Sequence, residues 1–312
     1  MGTSYHVSIV SDRDFQVPEN LQQEIQSRLD AVNQSMSTYL PDSELSALNQ
    51  LPVGVSKKVS EPLFTVINDA VGYGRLSDGA LDITIAPIVD LWGFGPVDQD
   101  ANVPSEKSIE DALNAVGFDY IELDANTLSI RKTRPLTIDL SSIAKGYGSD
   151  SLGIYLASLG FENYLIEIGG DLLVAGKNAR GEAWRIGVEK PTVDYGDVQQ
   201  AIAVSDVGVA TSGDYRNFFQ TEGATYSHII DPRTGRPVKH NLVSVTVIAK
   251  TAREADALAT AMTVLGADDA LALAEREGLA VYLIERNNAS DPDMGENQFS
   301  VRYSTTFKSY ID

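Results

Sequence analysis

The chain has 312 residues, enough for one large core or two interlocked lobes, and its net charge is -20. That acidic excess argues against nucleic acid and anionic membrane surfaces as partners, since both are held by clustered cations. Cysteine is absent, which excludes disulfides, thiolate metal sites and cysteine nucleophiles, and no apolar run approaches the ~18 residues that span a bilayer. Residues 1–10 alternate as a strand does, so no signal peptide is expected here. Leu21, Ile25, Leu29 and Val32 recur at helical spacing behind Pro18, whose fixed φ suits a helix start. A second helix is expected from Glu61 through Phe64, Ile67 and Val71 to about Leu76, and a third over 109–116, stopped by Gly117. Short strands are expected at 120–123, 128–131, 164–168, 171–175, 185–188, 202–204 and 243–248. Polar stretches at 191–199 and 287–297 read as surface loops. Hairpin-like strand order with helices between the blocks favours α+β with antiparallel sheets over a doubly wound parallel sheet.

The segment Thr251–Val264 is a helical run that holds Asp256 and Thr260 four residues apart, on one face. Its other positions are small or apolar, so this face is built to lie against protein. A buried carboxylate must be paired or bound to a metal. Two readings follow from the segment alone. One is a hydrogen bond between neighbouring turns; the other is a pair of hard oxygen ligands for a small cation such as Mg²⁺, with open positions for substrate phosphates.

Familiar phosphate motifs are missing. There is no Walker-type loop, and Gly146-Tyr-Gly148 lacks the third glycine of a dinucleotide fingerprint because Ser151 stands there. A Rossmann site is therefore rejected. Several other segments are unusually polar. Met36–Ser46 includes Tyr39 and leads to a short capped turn. Asp78–Pro87 places Gly and Asp at the mouth of an apolar strand, followed by Leu91–Pro96. Leu136–Tyr147 runs a strand through Asp139 into a helix with a serine N-cap at Ser142 and a nearby Lys145, a ready anion site. Glu167-Ile-Gly169-Gly170-Asp171 is a strand with a double glycine, where a backbone or ligand must come close. Thr211–Tyr215 and Ser227–Gly235 complete the set. Each has a plainer reading as a turn or a cap. His228 borders one of these turns as a structural residue or as a base with a pKa near neutrality.

Taken together and in this order, these segments resemble the ApbE family, the FAD:protein FMN transferases first labelled thiamine-biosynthesis lipoproteins. The resemblance runs from Met1-Gly-Thr to the Ala255–Thr260 helix, and Ser141 departs from the Gly that many relatives carry. It implies one α+β domain over residues 1–312, with antiparallel sheets and packed helices in two interlocked lobes and an FAD cleft between them. It implies a Mg²⁺-dependent enzyme that splits FAD, releases AMP and attaches FMN by a phosphoester to a Thr of an acceptor protein. Asp256 and Thr260 would bind Mg²⁺ by side chain, with a backbone oxygen near Ser142. Met1, Tyr39, Ala80, Leu81, Asp82, Asp139, Lys145, Glu167, Gly169, Gly170 and Ile230 would line the FAD site, and His228 would accept the attacking hydroxyl's proton. Family members are usually exported, lipid-anchored proteins of the periplasm or cell envelope, so the missing lipobox is read as loss of a leading segment. Two alternatives are an FAD pyrophosphatase, with water in place of the Thr hydroxyl, and a non-catalytic flavin-binding protein. The expected acceptor segment is extended and built of small residues around its Thr. Thr221-Glu-Gly-Ala-Thr225 echoes the end of the family's acceptor motif, but Phe219 stands in place of its leading Asp, so self-flavinylation is not expected.

Overall fold

The computed structural model describes residues 2–11, 16–94, 103–191, 197–213, 218–221, 224–287 and 298–311. In chain order the first elements are β1 (Tyr5–Val10), α1 (Leu21–Met36), α2 (Glu44–Asn49), β2 (Ser56–Lys58), α3 (Glu61–Leu76) and α4 (Ala86–Leu91). Then come α5 (Glu106–Leu113), β3 (Ile121–Asp124), β4 (Ser129–Lys132), α6 (Ala144–Ser158), β5 (Asn163–Ile168) and β6 (Asp171–Ala175). Next are β7 (Trp184–Glu189), β8 (Val198–Val204), β9 (Val207–Gly213), β10 (Phe218–Thr221), β11 (Ala224–Ser227) and β12 (Ile230–Asp231). The last are β13 (Arg236–Pro237), β14 (Leu242–Ala249), α7 (Ala252–Leu265), α8 (Ala267–Glu277), β15 (Ala280–Arg286) and β16 (Phe299–Tyr303). Strand pairings among the described residues are antiparallel throughout, as the hairpin-like order implies. No helix of the described residues is long and apolar enough to cross a membrane.

The chain divides into two compact units. The first comprises residues 1–29, 145–216 and 240–312 and holds a seven-stranded sheet in the order β1-β5-β6-β9-β14-β15-β16. Every residue of the central β14 is buried, because the sheet is covered on both faces. The β7–β8 hairpin and the turn at Phe307 close one apolar layer, in which Val188, Ile202 and Phe307 meet Val174, Val209 and Tyr282. A second layer joins Leu21, Ile25 and Leu29 of α1 to Leu152 and Leu156 of α6 and to Tyr164, Ile166 and Ile168 of β5. The helical period read from α1 is thus the stripe that this core uses.

Helix α7 packs on β9 and β14 at backbone range. Gly208 of β9 lies so near that a Cβ there would sit 2.4 Å from the Ala252 nitrogen. A Cβ on Gly146 of α6 would sit 2.3 Å from the Ala252 oxygen. Two glycines thus receive the first turn of α7. Gly146 and Gly148 lie inside α6 and not ahead of it.

The second unit comprises residues 30–144 and 217–239. It contains a three-stranded sheet, β2-β4-β3, the paired β10–β11 and β12–β13, and a core of Ile88, Trp92, Ile109 and Ile230. Helix α3 has the bounds expected for it: Ser60 caps it by accepting from Leu63, and a proline stands in its first turn. The third helix lies earlier than expected, because Ser105 caps it through Ser108 and the chain runs on to Gly117 in separate turns. Asp78–Pro87 contains no strand. The Asp82 carboxylate accepts from the nitrogen and hydroxyl of Thr84 instead, and Pro87 falls in the first turn of α4. Residues 136–139 are also not a strand. The Asn49 side chain supplies both hydrogen bonds of Ile138 at 2.8 Å, and the Asp139 nitrogen donates to the Ile83 oxygen, so the segment is held without a ladder.

The close seat of α7 yields a prediction of opposite signs. Gly208→Ala should destabilise the protein by about 3 kcal/mol, because backbone must give way. Gly72→Ala, on the exposed face of α3 with open space around it, should stabilise by about 0.5–1 kcal/mol. Denaturant midpoints at unchanged m-value measure both, and a Gly208→Ala protein as stable as the parent would contradict the packing.

Candidate active site

In the first unit, a charge cluster forms where α6 begins. Asp256 lies on α7, is 4% exposed and accepts from two groups of α6. Lys145 donates to Oδ1 at 3.1 Å and the Gly146 backbone nitrogen to Oδ2 at 3.1 Å. At this helix start the Lys145 ammonium and the Gly146 nitrogen both meet the Asp256 carboxylate. Helix α6 begins at Ala144, so Ser142 lies outside its N-cap position, in the turn at 141–143. The Ala144 nitrogen donates to the Leu140 oxygen at 2.8 Å, and the Gly146 nitrogen is satisfied from α7.

Asp171, at the start of β6, completes the cluster and was not singled out from the sequence. It is 2% exposed, and its Oδ2 lies 3.0 Å from the Lys145 ammonium. The contact is an ion pair by distance, although no hydrogen bond of good direction reaches Oδ2. Burial, then the charge of Asp256, hold the Asp171 carboxyl well above the usual carboxylate range, against the pull of Lys145. Burial penalises the Lys145 ammonium, but Asp256 and Asp171 together outweigh it and raise its pKa. Two buried carboxylates thus share one cation.

Thr260 sits one turn beyond Asp256 on α7 and is half-buried. Gly169 and Gly170 form the two-residue turn between β5 and β6, with φ of 57° and 93°. A Cβ on Gly169 would lie 3.3 Å from Cδ of Lys145, so the bare glycine gives room to the lysine stem. Glu167 braces this turn, accepting from the Gly170 nitrogen at 2.7 Å and pairing with Nδ1 of His6 at 2.5 Å. His6 stands directly opposite on β1. No group of three or more His, Cys, Asp or Glu side chains with metal-holding geometry occurs among the described residues.

Asp150 of α6 holds the start of α7. Its two oxygens accept from the nitrogens of Ala252 at 2.7 Å and Arg253 at 3.2 Å. Burial raises its pKa to about 6, against those hydrogen bonds and the Arg253 charge.

In the second unit, Asp139 accepts from the Ser141 nitrogen at 2.7 Å and from the Thr38 hydroxyl at 3.3 Å. Tyr39 follows Thr38 and is 75% exposed, a bare aromatic face. His228 follows β11, is half-buried, and meets the Phe94 ring edge-on at 6.2 Å. Ile230, Ala80 and Leu81 are buried, and the Ile230 side chain belongs to the core with Trp92. Both oxygens of Asp82 are engaged by protein, Oδ1 by Thr84 and Oδ2 by the Phe118 nitrogen. Burial raises its pKa against those bonds. Its placement is that of a loop clamp. Asp231-Pro-Arg-Thr-Gly235 is the turn joining β12 to β13, closed from the Gly235 nitrogen to the Asp231 oxygen at 2.8 Å. Met1, Asp214 and Tyr215 lie outside the described residues.

The ApbE family model matches residues 1–283. The chain belongs to the ApbE family. It is 42% identical over 311 residues to the FAD:protein FMN transferase of Vibrio cholerae, covering 100% of this chain and 90% of that one. The structure of the flavin transferase ApbE from Vibrio cholerae superposes with a TM-score of 0.87 at 39% identity, over 100% of this chain and 96% of the other. The apo flavinyl transferase ApbE of Pseudomonas stutzeri gives 0.88 at 36% identity, over 100% and 94%. The α+β fold of antiparallel sheets with packed helices is thus shared with flavin transferases.

The cap at Asp150 sets a pH dependence. Its pKa is 3.8 unfolded and about 6 folded, so the folded state binds the proton more tightly. Its stabilising contribution is full below 3.8 and is lost as pH rises through 6. Unfolding of the parent and of Asp150→Asn should therefore diverge across this window by up to about 3 kcal/mol, the parent losing stability relative to the variant as pH rises. Parallel curves in denaturant titrations between these pH values would contradict the burial of this carboxyl.

Proposed function

We propose that this chain is an FAD:protein FMN transferase that works with Mg²⁺. The observation that carries the reading is a buried Asp256–Lys145–Asp171 cluster in a chain similar over its full length to proteins of that name. The cluster suits a small hard cation. It buries two carboxylates against one ammonium, an Asp171 oxygen lacks a directed hydrogen bond, and Thr260 offers a hydroxyl one turn from Asp256. Asp256 and Thr260 would hold the ion by side chain, and Ser142 would add a backbone oxygen. When bound, Mg²⁺ neutralises charge on the FAD pyrophosphate and on departing AMP.

The protein's own groups do the rest. The Lys145 ammonium supplies positive charge for a phosphate. Tyr39 offers its exposed ring to a flat aromatic system, and Asp139 stands beside it as an acceptor. Glu167 fixes the Gly169–Gly170 turn, whose backbone can approach a ligand closely. The acceptor's Thr hydroxyl attacks the phosphorus on the FMN side, and the phosphorus–oxygen bond to the AMP phosphate breaks. AMP leaves with the bridging oxygen, and His228 takes the hydroxyl proton. Such an attack requires an extended acceptor segment of small residues, because a bulky helix could not bring one oxygen within reach of phosphorus.

Two substitutions separate these roles. Asp256→Ala should abolish Mg²⁺-dependent transfer of FMN to an acceptor protein. His228→Ala should slow the chemical step by about 10²–10⁴-fold while FAD binding, followed by flavin fluorescence, persists. Near-normal transfer by Asp256→Ala would overturn the metal assignment, and normal turnover at saturating FAD by His228→Ala would demote His228 to a binding residue.

A further inference from the structure

We infer that Asp171 is a positioning residue that retains the Lys145 ammonium when a divalent cation takes Asp256, an inference that rests on the metal reading above. Lys145 spans the two acids, 3.0 Å from Oδ2 of Asp171 and 3.1 Å from Oδ1 of Asp256. Asp256 cannot serve a cation and the ammonium equally, and its other oxygen is already committed to the Gly146 nitrogen. A cation bound there would stand beside a lysine of like charge in a buried setting, and the repulsion would oppose binding. Asp171 removes that conflict. Its carboxylate is fixed at the first residue of β6, opposite Ile168 and directly after the glycine turn on which the lysine stem rests. It is buried, and its Oδ2 has no directed hydrogen bond from elsewhere. When Asp256 turns to the cation, the ammonium keeps one buried partner and stays in place to meet a phosphate.

This ordering of charges makes signed expectations for metal binding without turnover. The probe is Mg²⁺ alone, titrated into the FAD-free protein while the melting temperature is followed. Asp171→Asn leaves Lys145 with Asp256 as its sole anion, so the half-effect concentration should rise about tenfold or more. Lys145→Met removes the competing ammonium, and the half-effect concentration should fall below that of the parent. The double variant Asp171→Asn/Lys145→Met should return to within about threefold of the parent, because charge lost and charge removed offset one another. If Asp171→Asn folds poorly, Lys145→Met still decides the matter, since weaker Mg²⁺ binding by that variant overturns the inference. A double variant as weak as Asp171→Asn would also overturn it, showing that Asp171 acts on the metal without Lys145. A parent protein whose melting does not respond to Mg²⁺ would instead sink the metal reading itself, and the inference with it.

Discussion

The rest of the site depends on two carboxylates buried against a single ammonium. Asp171 and Asp256 are drawn out of water by elements that meet only in the folded chain, and Lys145 lies between them. Burial drives Asp171 toward neutrality, while the lysine charge pulls the other way. The outcome is a cluster short of one positive charge. A structural ion pair selected for stability alone would balance its charges, since an uncompensated buried charge is expensive. The imbalance is an invitation to a cation or a proton.

The backbone around this cluster is arranged to keep it in place. Gly146 and Gly208 allow the first turn of α7 to touch α6 and β9 without side chains between them. Asp150 then satisfies the donors at the start of α7, and the Gly146 nitrogen is satisfied in turn by Asp256. Each helix therefore caps the other. On the far side of Lys145, the Gly169–Gly170 turn gives the lysine stem its room, and Glu167 holds that turn to β1 through His6. Helix docking, turn geometry and the electrostatics of the site are parts of one construction.

Much of this was legible in the residues. Helix α3 could be bounded because Phe64, Ile67 and Val71 keep the apolar period, and α7 because its small and apolar residues mark a buried face. The pair Asp256 and Thr260 followed from helical spacing alone. Asp171 did not, because its partners lie 26 and 85 positions away, and nothing local marks an aspartate after two glycines as buried. Its one signal was a charged residue opening an otherwise apolar strand. Ser142 misled for the complementary reason. Local rules expect a cap beside a helix start, but the Leu140 oxygen takes the Ile143 and Ala144 nitrogens, and α6 starts only at Ala144. The strand read at 136–139 failed likewise, since the Asn49 side chain stands in for a neighbouring strand. Asp82 braces its own loop, accepting from Thr84 and from the Phe118 nitrogen.

The central claim is that these groups transfer FMN to a protein and do not simply bind or hydrolyse FAD. It is tested most directly by intact-mass spectrometry of a candidate acceptor after incubation with this protein, FAD and Mg²⁺. The acceptor should be heavier by one FMN phosphoester on a single Thr, with AMP released in equal amount and no adduct when Mg²⁺ is withheld. AMP accompanied by free FMN and an unmodified acceptor would contradict it and identify a pyrophosphatase, and intact FAD with no AMP would identify a flavin-binding protein.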